Sequence, residues 1–256
     1  MYLKVIACEI ALREICYCAA RSTNVVDLDF LPQGYHDIPK TGCQELQARL
    51  EAVPAGKYDA VLLGYGLCSN IISGLRLNHT PLVIPRAHDC ITFFLGSKER
   101  YQEFFNAHPG TYYYTSGWLE CVRRRGQKSL EQGTLFMPAT LKESAEATNR
   151  QWVAKYGQEQ ADYLKETMGN WAQTYGHGTL IDFDFTRPLG LADEVRDICS
   201  AQGWAFEEVP GDLALLQHWL DGLWDERDFL VVPPGQRVAP SFDTAILRAE
   251  PPEPPA

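Results

Sequence analysis

Several patterns are missing from this chain, and each absence removes a class of function. There is no C-x-x-C pair, which excludes compact zinc ribbons and thioredoxin-type redox motifs. Neither G-x-G-x-x-G nor G-x-x-x-x-G-K-[ST] occurs, so no phosphate cradle points to a nucleotide. No apolar stretch reaches about 18 residues, the length that marks a membrane-spanning helix. Positive charge is also short: 23 Lys and Arg against 33 Asp and Glu leave a formal charge of -10. Phosphate backbones need a basic face, so nucleic acid is not an expected partner. The one basic run, Arg123 to Arg125, reads as a solvated helix end. The opening MYLKVIACEI lacks the basic region, long apolar core and small-residue cleavage site of a secretory signal, and a cytoplasmic location is expected.

What is present is a globular composition with eight cysteines in 256 residues. Hydrophobic residues at 45% and charged residues at 22% suit a sizeable core. Thiols in the cytosol are kept reduced, so cysteines at recurring positions there point to metal binding or catalysis ahead of disulfides. Three of them do recur. LKVIACEI places Cys8 directly after an apolar strand, and AVLLGYGLCSN places Cys68 after a strand and a glycine turn. LVIPRAHDCITFFL places His88, Asp89 and Cys90 after a third strand and at the start of an apolar helix. In a parallel α/β sheet these exits gather along one edge, which is where ligands bind. Cys8, Cys68 and Cys90 are therefore expected to converge although they are far apart in the chain.

The remaining pattern predicts strands at 24–30, 111–115, 179–185, 204–209 and 228–232, alternating with helices at 9–21, 41–53, 97–108, 192–203 and 212–224. The fold expected is α/β: three layers around a mostly parallel Rossmann-like sheet, forming a single domain over 1–240. A helical insertion is expected at about 120–176, its aromatic stripe (Trp152, Tyr163, Trp171, Tyr175) serving as core. The segment 241–256, ending in EPPEPPA, reads as a proline-rich disordered tail. Cys16 and Cys18 point about 200° apart on a helix, so they read as packing residues. Cys43 has no partner in the pattern and reads as incidental.

Three thiolates supply the protein ligands of two centres: a [4Fe–4S] cluster with one open iron, or zinc completed by His88 or an exchangeable ligand. The cluster is favoured because an open-iron centre needs three thiolates and no more. In extended backbone His88 and Cys90 fall on one side, which makes His88 a candidate metal ligand. The helix-start positions of Cys68 and Cys90 predict lowered thiol pKa values. Arg13, His36, Tyr65, Arg86 and Asp89 are candidates for the groups around the ligands and the substrate, with the arginines favouring a thiolate or an anionic small-molecule substrate. A competing chemistry makes Cys90 or Cys68 a nucleophile, with His88 or His36 as base and Asp89 or Asp37 orienting it. A third reading is a non-enzymatic accessory protein that delivers a metal or a corrinoid.

The stretches ACEIALREI, LPQGYHDIP, LGYGLCSN, HDCITFFLGS and PGTYYYTSGW together resemble the DUF1638 family of bacterial and archaeal proteins. The resemblance covers about the first half of the chain, with MGNW near Trp171 similar to a weaker motif further on. It supports Cys8, Cys68 and Cys90 as the cysteine set. Some branches of that family carry Pro-His-Cys where this chain has His88-Asp89-Cys90, a one-position shift that bears on His88 as a ligand. Relatives occur beside corrinoid-dependent methyltransferase systems, which implies a corrinoid methyltransferase partner and a role in methyl or one-carbon metabolism.

Overall fold

The structure, a computed structural model, describes residues 1–125 and 175–251, together with 153, 157 and 158. The elements run β1 (Tyr2–Cys8), α1 (Leu12–Ala19), β2 (Val25–Leu31), α2 (Pro39–Glu51), β3 (Ala60–Gly64), β4 (Leu82–Pro85), α3 (Ile91–Leu95) and α4 (Lys98–Ala107). They continue through β5 (Thr111–Tyr114), α5 (Ser116–Arg125), β6 (His177–Asp182), α6 (Leu191–Gln202), β7 (Ala205–Pro210), α7 (Ala214–Asp221), β8 (Phe229–Val232), β9 (Arg237–Pro240) and β10 (Leu247–Glu250). The protein is thus mixed α/β with a mostly parallel central sheet. Among the described residues no helix is long and apolar enough to cross a membrane.

By compactness the chain divides into two units, 1–101 with 211–256, and 102–210. The first holds a five-stranded sheet ordered β2-β1-β3-β4-β8, parallel except for the β4–β8 pair. β3 and β4 are buried at every residue, as strands covered on both faces should be. Trp219 on α7 is fully buried and donates its indole N–H to the Val83 carbonyl at 3.1 Å, which fixes that helix against β4. The second unit has its own parallel sheet, β5-β6-β7, and its own core of Tyr114, Leu119, Leu180, Val195 and Trp204. Strand pattern alone shows that 111–114 and 177–182 are strands; it does not show which sheet they join. α5 begins at Ser116, directly after the end of β5 and Thr115.

The tail also starts later than composition suggests. β9 and β10 form an antiparallel hairpin in which Val238, Ile246 and Leu247 are buried, so 241–250 is folded chain. Residues 252–256 lie outside the described residues, as do most of the expected insertion and the Trp152, Tyr163 and Trp171 stripe.

Arg86 is what ties this hairpin to the sheet. Its Nε donates to the carbonyls of Glu226 at 2.9 Å and Phe229 at 3.2 Å, and its Nη1 to those of Ala245 at 2.8 Å and Leu247. Burial lowers its pKa, against the opposing pull of Asp243 and Glu226. The side chain expected to favour a thiolate or a substrate anion is therefore a backbone staple. Arg86→Met is expected to destabilise the first unit by about 2–3 kcal/mol, because buried carbonyls lose charge-assisted partners. Urea unfolding followed by tryptophan fluorescence measures this; a midpoint unchanged from wild type rejects the staple role.

Candidate functional site

The order β2-β1-β3-β4 reverses direction between β1 and β3, and the crevice at such a reversal is where open parallel sheets bind ligands. Cys8 ends β1 there, 2% exposed, and Glu9 follows it into a short helical turn. β1 and β3 are in register as far as Ala7 opposite Gly64, so Tyr65 emerges beside Cys8. The Gly64-Tyr65-Gly66 turn then leads to Cys68.

Two backbone hydrogen bonds bind the Cys68 loop to the His88 loop: Leu67 N–H to the Ala87 carbonyl at 2.9 Å, and Cys68 N–H to the His88 carbonyl at 2.8 Å. Gly66 makes the approach feasible, since a Cβ there would stand 2.8 Å from the Asp89 Cα and 2.9 Å from its nitrogen. Cys68 has φ +36° and Asn70 φ +65°, left-handed values that a non-glycine residue adopts at a cost and that cluster at binding sites.

The electrostatics of the sulfurs run opposite to expectation. Burial first, then Asp89, pushes the Cys68 thiol up to about 12, although backbone N–H groups of Gly66 and Cys90 pull it back. Cys90 is pushed well above 9 by burial, then by Cys68, Asp89 and Cys8. The helix-start argument fails because α3 has only five residues, four of them buried, so desolvation outweighs its dipole. Cys68 and Cys8 thus both act on Cys90. Among the described residues, however, no group of three His, Cys, Asp or Glu side chains stands in metal-ligating geometry.

The other expected residues divide. His36 is brought in: its ring stacks on Tyr65 with centroids 5.8 Å apart and planes 20° from parallel. Tyr65 is buried, and burial, then Cys8, Cys68, Glu9 and Tyr35, raise its pKa strongly. Asp89 acts on the loop: its carboxylate accepts the Ile91 N–H at 3.0 Å and the Tyr101 hydroxyl at 2.9 Å, and burial raises its pKa against those bonds. His88 is exposed and Cys90 is half-buried. Arg13 is half-buried on α1. Glu9 and Tyr35 were not anticipated; Glu9 is the next residue after Cys8 at the strand exit, and that position was the available signal. Tyr101 lies on a different helix and left none.

Fold and site define a mixed α/β protein whose mostly parallel sheet carries three cysteines, a buried tyrosine and a stacked histidine at its carboxyl edge. A family model described as Protein of unknown function (DUF1638) matches residues 30–220, and the chain belongs to that family. Cys68 and Cys90 fall within the matched span, and Cys8 precedes it. No curated protein and no solved structure matches the chain.

Proposed function

We propose that Cys8, Cys68 and Cys90 bind one thiophilic metal centre, an iron–sulfur cluster or a zinc ion, at the crevice between β1 and β3. The observation that carries this is the placement of the three cysteines at or after the carboxyl ends of the adjacent strands β1, β3 and β4, with the Cys68 and His88 loops joined by two backbone hydrogen bonds. A three-layer, Rossmann-like arrangement underlies it: right-handed crossovers from β1 to β2 and from β2 back past β1 to β3 put α1 and α2 on opposite faces. Protonated thiols do not attract one another, so ligation requires rotation of the cysteine side chains as the metal displaces their protons. Exposed His88 leaves the fourth position open to a small-molecule substrate or to a corrinoid methyltransferase partner. The raised thiols speak against the nucleophile reading, which needs a thiolate near neutral pH.

The test is to purify the full chain without oxygen and measure its visible spectrum, iron, zinc, cobalt and sulfide. Matched iron and sulfide with a brown colour support the cluster, and one colourless zinc supports the alternative. A metal-free protein with one rapidly alkylated cysteine rejects both. The pH dependence follows from the sign of the shifts. Raised Cys68 and Cys90 pKa values mean that these two thiols keep their protons near neutral pH in the folded metal-free protein, and both protons must leave when metal binds. Affinity therefore rises with pH, by about a hundredfold per pH unit for those two protons. Zinc competition against a chelator at pH 6.5 and 7.5 reads this directly; an affinity independent of pH rejects a three-thiol site.

A further inference from the structure

The backbone alone holds Cys68 and Cys90 together. The Cys68 N–H donates to the His88 carbonyl at 2.8 Å, the Leu67 N–H to the Ala87 carbonyl at 2.9 Å, and the Cys90 N–H to the Cys68 sulfur. Gly66 omits the Cβ that would stand 2.8 Å from the Asp89 Cα and hold the two loops apart. A sulfur seated on the backbone N–H of a cysteine is within a side chain's reach of that cysteine's own sulfur, and a disulfide needs Cα atoms no more than about 7 Å apart. Both side chains are half-buried and open to a small oxidant, whereas Cys8 is closed off at 2% exposure. Cys16 and Cys43 are half-buried too, but they stand on α1 and α2, and the Cys43 thiol is turned to the Ser73 carbonyl at 3.5 Å.

We propose that Cys68 and Cys90 form a reversible disulfide, a redox modification site that a peroxide closes and a small thiol reopens. The inference does not use the metal–thiolate reading, and its failure leaves that reading standing. Closure is a two-electron oxidation. One sulfur exchanges its hydrogen for the OH of hydrogen peroxide, releasing a first water; the second sulfur displaces that OH as a second water, and the sulfur–sulfur bond forms. Reopening by two equivalents of a thiol returns both hydrogens and leaves the reagent as its own disulfide. No C-x-x-C spacing is required, because the fold brings together two sulfurs that the chain keeps apart. Closure also occupies two of the three sulfurs proposed for the metal, which makes the crevice sensitive to the redox state of its surroundings.

The experiment uses the full-length chain, freed of metal with a chelator and treated with a small molar excess of hydrogen peroxide. Trypsin cuts after Lys57, Arg76, Arg86 and Lys98, so peptides 58–76 and 87–98 carry one cysteine each, and Cys8 falls in a third. The chain is expected to lose the mass of two hydrogens and two of the eight thiols titrated after unfolding. One crosslinked pair, 58–76 with 87–98, is expected to account for both, and dithiothreitol to restore the starting mass and thiol count. Cys43→Ser is expected to crosslink as wild type does, and wild type treated in urea to spread its crosslinks over many pairs. Cys68 and Cys90 both free after treatment, Cys8 as the crosslinked partner of either, or equal crosslinking of the two peptides in folded and unfolded chain overturns the proposal. So does oxidation of either sulfur to the irreversible sulfinic acid with no crosslink formed.

Discussion

Cys90→Ser is expected to lower metal affinity by more than about a hundredfold and to leave the purified protein with little metal, since even residues that merely support ligands cost about ten- to a hundredfold. Cys8→Ser and Cys68→Ser are expected to do the same, each alone, because three ligands leave no redundancy. Cys43→Ser is the control. Its sulfur lies 3.5 Å from the Ser73 carbonyl, a bond that a serine hydroxyl also makes, and its pKa is raised by burial with no contribution from the other cysteines. Metal content per chain, measured on anaerobically purified variants, decides the matter. If Cys8→Ser keeps its metal while Cys68→Ser and Cys90→Ser lose it, the centre is a two-loop site and β1 contributes only walls. If all three keep it, the metal is held elsewhere.

The strands were legible because buried parallel strands are continuous apolar runs. Leu3–Ala7, Tyr58–Leu63 and Leu82–Ile84 each read as such, and each is found within a residue or two. That Cys8, Cys68 and Cys90 share one edge followed from the same runs, since strand direction fixes where exits fall. Pairing was not legible. Nothing local in TYYYT or TLIDFDF distinguishes an outer strand of the first sheet from a strand of a second one, and that choice divides the protein into two units. The hairpin was hidden by prolines and charges around its few buried residues, Val238, Ala239, Ile246 and Leu247. Arg86 was misread for a related reason: its acceptors, two in that hairpin and two at the approach to β8, are more than a hundred residues away. The thiols were misread because position at a helix start is visible in sequence and depth is not. Burial dominates at Cys68 and Cys90, and it reverses the sign that the dipole alone predicts.

Gly66→Ala is expected to separate the two cysteine loops, with a larger effect on metal binding than on folding. Gly66 is absent from the positive-φ glycines, so what it supplies is room, not an unusual backbone angle. The atoms a methyl group would meet are all backbone: the Asp89 Cα at 2.8 Å, nitrogen at 2.9 Å and carbonyl carbon at 3.0 Å. No flexible side-chain end can swing aside, so the loop carrying His88, Asp89 and Cys90 must move as a piece. Overpacking of this kind costs about 1–3 kcal/mol. The hydrogen bonds from Leu67 and Cys68 to Ala87 and His88 lie in its path, each worth about 1 kcal/mol. The Cys90 N–H would also be drawn away from the Cys68 sulfur that it steadies. Gly64→Ala provides the comparison, since its methyl would strike the Ala7 Cβ at 2.6 Å and Trp219 at 3.1 Å, within the sheet and the α7 packing. Gly64→Ala is therefore expected to lower the melting temperature more, and Gly66→Ala to lower zinc or iron affinity more at equal folded fraction. Melting curves paired with chelator competition separate the two effects. Wild-type metal affinity in a folded Gly66→Ala protein would show that the close approach of these loops has no part in bringing the sulfurs together.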